Sequence, residues 1–237
     1  MSIYKYNSWP LGKLPDEFQR PEPNKIKEFG YNWSDPRDII DIFENKIAKF
    51  ANCKHAIVVD CCSHAMFLSY KYLLHIGELK LGDTITIPKR TYISSAWQIK
   101  HAGLTLNFDD REWNGMYQCV GSRVWDAAIR WTKNMAHIDN SLMCVSFQIK
   151  KRIPIGRGGV ILTNDSDAAR WIKLASYDGR DLTKEYTDPA HINMCGYHMY
   201  MTPEDAARGI LLMDNIPEIN EDSGGHLNYT DVSQFIF

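Results

Sequence analysis

The chain has 237 residues, of which 44% are hydrophobic and 24% charged, with a formal net charge of −2. That is ordinary globular composition, long enough for one sizeable core or two small ones. Lys and Arg are scattered, so no broad basic surface for nucleic acid or anionic lipid is expected. The six cysteines contain no C-x-x-C pair and the eight histidines no H-x-x-x-H pattern. Buried reduced thiols are therefore expected, and no metal site. Met1 to Arg20 lacks the apolar core of a signal peptide, and no apolar run is long enough to cross a membrane. A cytoplasmic protein is the expectation.

Residues 1–35, rich in Pro, Tyr, Trp and Asn, read as an irregular N-terminal arm. Ile39, Phe43, Ile47 and Phe50 recur every three or four residues and predict a helix from Pro36, with Asp35 as its cap. Ala56 to Asp60 is a buried strand, Cys61-Cys62-Ser63 a turn, and His64 to Leu79 a helix. Thr84 to Pro88 reads as a strand, Tyr92 to His101 as a helix and Leu104 to Phe108 as another strand. Cys119 to Trp125 and Leu142 to Phe147 supply two more, and a glycine-rich turn leads to a strand-like run from Val160 to Thr163. Asp165 to Tyr177 is helical, with Asn164 or Asp165 as cap. Thr202-Pro203-Glu204-Asp205 opens a last helix to about Met213. The alternation predicts an α/β domain over residues 36–216 with a mostly parallel sheet flanked by helices. Residues 217–237 form a polar tail.

Four places carry chemistry. The turn after Val59 puts backbone N–H groups and a helix dipole at one point, with Ser63 adding a hydroxyl; it is equally a plain strand-to-helix turn. Tyr92, just past a strand end, could stack on a planar ring, or be an ordinary core or surface tyrosine. Asp126 ends a buried strand and is followed by Ala127-Ala128. A carboxylate there needs a cation, such as a protonated pyridine nitrogen, unless it simply caps a helix. Lys151 follows the apolar run Leu142 to Phe147 and could form an imine with an aldehyde cofactor. Its neighbours Lys150 and Arg152 are compatible with a solvated loop instead.

Taken in order, these segments resemble the DegT/StrS-type sugar aminotransferases, among the fold-type-I pyridoxal phosphate enzymes. Val59-Asp60-Cys61-Cys62-Ser63-His64-Ala65 looks like V-S-S-G-T-D-A, and Gly82 to Pro88 with Thr91-Tyr92 looks like G-D-E-V-I-V-P…T-F. Asp126-Ala127-Ala128 matches D-A-A. Ser146 to Gly159 resembles S-F-H-x-x-K-x-x-x-x-G-x-G-G, which selects Lys151 over Lys150. Gly196 to Thr202 looks like G-Y-N-Y-R-M-T.

The resemblance implies a fold-type-I large domain with a reduced or missing C-terminal small domain. It implies pyridoxal 5'-phosphate held as a Schiff base on Lys151, which would also shuttle the proton. Asp126 would face the pyridine nitrogen and Tyr92 would stack on the ring. Cys62, Ser63 and Ser146 would hold the phosphate, and His198 would reach the phosphate of the neighbouring subunit, implying a homodimer with shared sites. The reaction implied moves an amino group from glutamate, leaving 2-oxoglutarate, to a keto group of a nucleotide-linked sugar. The chain departs from the family in placing Cys62 at a glycine position and Ile129 at a glutamine position, and in being shorter between Phe108 and Asp126. A relative that kept the cofactor fold as a binding or scaffold protein is the alternative. A dehydratase, whose lysine is replaced by histidine, is disfavoured by Lys151.

Overall fold

The computed structural model describes residues 15–235. Residues 1–14 of the N-terminal arm and the last two residues of the tail lie outside them. Two helices lead into the sheet region: α1 (Glu22–Glu28) and α2 (Asp38–Ala51). The rest alternates as β1 (His55–Val59), α3 (Cys62–His75), β2 (Thr84–Pro88), α4 (Ile93–His101) and β3 (Thr105–Asp109). Then come β4 (Tyr117–Gln118), β5 (Val124–Asp126), β6 (Leu142–Ser146), β7 (Gly159–Thr163), α5 (Ser166–Ser176) and α6 (Pro203–Met213). Local chemistry fixes several ends. Asp165 accepts the backbone N–H groups of Asp167 and Ala168 at the start of α5, and Thr202 accepts that of Asp205 at the start of α6.

Five strands form one sheet in the order β1-β7-β6-β5-β4, and β2 pairs with β3 beside it. An antiparallel bridge between Thr86 and Val120 ties the two together. Alternate residues of the central strands face opposite cores, as the two-residue period of a strand requires. Ile57, Val59, Leu142, Cys144 and Ile161 pack with α3, α4 and α5. Ala56, Val58, Met143, Val145, Val160 and Leu162 pack with α1, α2 and α6. Both faces are covered, which is why these strands read as unbroken apolar runs.

The strand directions correct the sequence expectation. Only β2–β3 and β5–β6 are parallel; β7 runs antiparallel to both β1 and β6, and β4 to β5. A parallel pair needs a crossover connection, usually a helix. The loop 147–158 joins β6 to β7 without one, so β7 turns back along β6. The run read as a single strand from Cys119 to Trp125 is instead the turn and second arm of the β4–β5 hairpin, folded at Gly121 with φ of +98°. Within the stretch read as irregular, α1 forms on one buried apolar anchor, Ile26, with the buried Glu22 and Pro23 in its first turn.

Candidate functional site

The carboxyl ends of β1, β2, β5 and β6 are where open α/β sheets place ligands, and the candidate residues follow those ends. Asp126, the last residue of β5, is 6% exposed. Its Oδ2 accepts Ser95 Oγ at 2.8 Å and Tyr117 OH at 2.7 Å, and its Oδ1 accepts the Ala128 N–H at 3.0 Å. The Tyr117 phenol shares a 2.6 Å hydrogen bond with Thr91 Oγ1. Burial and the adjacent Asp126 hold that phenol well above its ordinary range, so it stays a donor. Among the described residues no cation pairs with Asp126; neutral donors alone hold it.

Across the site, Lys151 sits in the loop 147–158, which hangs on three buried side chains, Phe147, Ile153 and Ile155. The Lys151 N–H donates to Gln148 O at 2.8 Å. Lys150 is exposed and Lys151 half-buried. The Lys151 ammonium has no hydrogen bond or ion pair among the described residues. Cys62 links the two groups. Its buried thiol is pushed well above the usual thiol range, first by burial and then by Asp126, while Lys151 pulls it the other way. Because β5 and β6 are parallel neighbours, Asp126 at the end of one and the loop that follows the other lie at the same edge of the sheet.

Cys62 and Ser63 open α3, whose first-turn N–H groups lack helical acceptors. Ser63 Oγ lies 2.8 Å from Ser94 Oγ, tying this turn to the start of α4. Ser146, at the end of β6, is buried, and its Oγ accepts the Gln148 N–H. Gly159 lets β7 close onto the turn: a Cβ there would stand 2.5 Å from Cys62 N and 2.6 Å from Cys61 C. Tyr92 caps α4 and is 60% exposed, a plate open on one side. His198 stands apart. It is 71% exposed and its contacts run to Asp178 and the Tyr200 ring, not to the other candidates.

The structure adds residues that sequence patterns did not single out. Ser95 and Tyr117 grip Asp126. The serine pair after Tyr92 was a visible signal, whereas Tyr117 reaches Asp126 only because the β4–β5 hairpin folds it there. Asp60, Cys61 and His64 bring three possible metal donors within 4.8 Å of one another. They are engaged already. His64 Nδ1 lies 2.6 Å from Asp60 Oδ1, Arg157 donates to Asp60 Oδ2 at 2.8 Å, and Cys61 Sγ accepts the His64 N–H. The Asp60 hydrogen bond leads in raising His64 to about 9. This network pins the lysine loop, through Arg157, to the turn after β1.

The model of the DegT/DnrJ/EryC1/StrS aminotransferase family matches residues 28–121 and 118–229. GDP-perosamine synthase of Caulobacter vibrioides is 26% identical over 219 residues, covering 74% of this chain and 56% of that protein. The spore coat polysaccharide biosynthesis protein SpsC of Bacillus subtilis is 23% identical over 247 residues, covering 84% and 62%. The chain thus spans a little over half the length of these curated relatives. The sugar aminotransferase CalS13 of Micromonospora echinospora superimposes with a TM-score of 0.62 at 12% identity, over 81% of this chain and 64% of that one, a likeness of fold alone.

Proposed function

Because this chain belongs to the DegT/DnrJ/EryC1/StrS aminotransferase family, we propose that it binds pyridoxal 5'-phosphate and transfers an amino group. The donor is glutamate, which leaves as 2-oxoglutarate, and the acceptor is a keto group of a nucleotide-linked sugar. The observation that carries this reading is a half-buried amine at Lys151 and a buried carboxylate at Asp126, neither paired with an opposite charge among the described residues, carried at the ends of the neighbouring parallel strands β5 and β6. The nucleotide-sugar substrate class is supported by the relative named GDP-perosamine synthase.

The residues present fit the cofactor. Among the described residues Asp126 is a buried carboxylate held by neutral donors alone, so a protonated ring nitrogen would complete it. The open N–H groups at Cys62 and Ser63, with the hydroxyls of Ser63 and Ser146, offer donors for a phosphate. When bound, the group supplies an aldehyde that captures amines and a ring that accepts electrons. Lys151 carries the amine that would hold it covalently and, once free, the base that would move a proton at the substrate carbon. Ser95 and Tyr117 keep Asp126 aimed, and Tyr92 offers a flat face for the ring. The exposure of His198 suits a residue that reaches a partner subunit, so the reading includes a homodimer with shared sites. All six cysteines are free thiols, which suits a cytoplasmic setting.

A second reading is a binding or scaffold protein that holds the cofactor without turnover. Ile129 favours it: the residue is buried and apolar at the position where the family resemblance implies a glutamine donor. The half-reaction decides. Protein loaded with pyridoxal phosphate and given glutamate alone should release 2-oxoglutarate stoichiometrically with its sites. Loaded protein that releases none supports the second reading.

A further inference from the structure

The tail after α6 returns across the site. Asp222 is gripped by Arg130 through two hydrogen bonds of 2.9 Å, and the Ser223 N–H donates to Ile129 O at 3.1 Å. The Gly115 N–H donates to Gly224 O at 3.0 Å, and the His226 N–H to Trp113 O at 3.0 Å. Beyond that point the attachment thins. Arg90 Nη1 donates to Tyr229 O at 3.1 Å and the Val232 N–H to Lys89 O at 2.9 Å. The tail is thus clamped at one end by a part-buried, charge-assisted pair and laid down at the other by a few single bonds.

Tyr229 lies at the thinly held end. Its ring packs on Trp113 at 5.6 Å between centroids, and Trp113 packs edge-on against Tyr117, whose hydroxyl bonds Asp126. Its phenol is pushed up to about 12, by burial first and then by Asp126, Cys62 and Tyr92. Those three are the groups that frame the proposed cofactor site.

We propose that residues 222–232 form a strap over the mouth of the site and that Tyr229 is its plug, a ring that leaves for the cofactor to be admitted. This rests on the functional reading above. The clamp at Asp222 keeps the strap attached while the segment around Tyr229 lifts. The strap then sets how readily the cofactor gets in.

Equilibrium titration with pyridoxal phosphate tests this, with thermal melts as a check on folding. Tyr229→Ala should bind roughly tenfold more tightly than the wild type, the gain expected if the plugged state holds about nine-tenths of the molecules. Tyr229→Phe, which keeps the ring, should bind like the wild type. Hydrogen exchange of the unaltered protein gives a second readout. Cofactor loading should lower protection of the Tyr229 and Val232 amides and leave the Gly115 amide, bonded to the clamped end, unchanged. Wild-type affinity in Tyr229→Ala, or Tyr229 and Val232 amides that stay equally or better protected on loading, would overturn the strap while leaving the functional reading intact. If neither the wild type nor Tyr229→Ala takes up the cofactor, the functional reading fails instead. Uptake by the variant alone is the strap at its strongest.

Discussion

The two sides of the site are built differently. On the carboxylate side, Asp126 is buried and held by Ser95, Tyr117 and a backbone amide, with Thr91 and Trp113 behind them. Nothing there depends on an exposed charge. On the amine side, Lys151 rides a loop anchored by Ile153 and Ile155 and tied to the β1 turn by Arg157, which is 68% exposed. Buried hydrogen bonds fix geometry and resist salt; exposed ion pairs are weak and screened. The fixed side suits a group that must hold its aim. The looser side suits one that must form and release a covalent bond.

The sharpest break of this comparison is Lys151→Ala. Covalent capture should vanish, and turnover from glutamate should fall at least about 10⁴-fold, the upper end of what acid–base help alone contributes, as measured by single-turnover kinetics. Lys150→Ala should leave both nearly unchanged. Next in size is Gly159→Ala, which strikes the turn between the two sides. Its Cβ would stand 2.5 Å from Cys62 N, and such overpacking costs about 2 kcal/mol. Denaturant unfolding should show that loss, together with weaker phosphate binding.

Tyr117→Phe is milder. It removes one donor from Asp126 and leaves Ser95 and Ala128, so stability should drop by about 1 kcal/mol, with little dependence on salt. A strong salt dependence would contradict the picture of the carboxylate side.

The smallest effect lies at the loop's tie. His64 is raised from its ordinary 6.5 to about 9 in the folded chain, chiefly by Asp60. A raised folded value means the stabilisation is complete below about 6.5 and is lost as pH climbs through about 9. After screening of this partly open pair the change should be on the order of 1 kcal/mol. His64→Gln should flatten that part of a stability–pH curve.

Much of this was legible in the sequence where the cause is local. The caps at Asp165 and Thr202, the apolar central strands and the position of Asp126 at a strand end all follow from short patterns. Strand direction was not, because it depends on which strands become neighbours. The β4–β5 hairpin was hidden because its turn, at Gly121, lies inside a short run with Cys119-Val120 at one end and Val124-Trp125 at the other. The grip of Tyr117 on Asp126 appears only once the hairpin sets the two opposite each other, and the packing of Tyr229 on Trp113 joins residues far apart in the chain.

The most direct measurement is reductive trapping. Protein incubated with pyridoxal phosphate is treated with borohydride, digested and read by mass spectrometry. The account predicts one stoichiometric pyridoxyl adduct on Lys151, and none on Lys150. An adduct spread over surface lysines, or no adduct at Lys151, would contradict it.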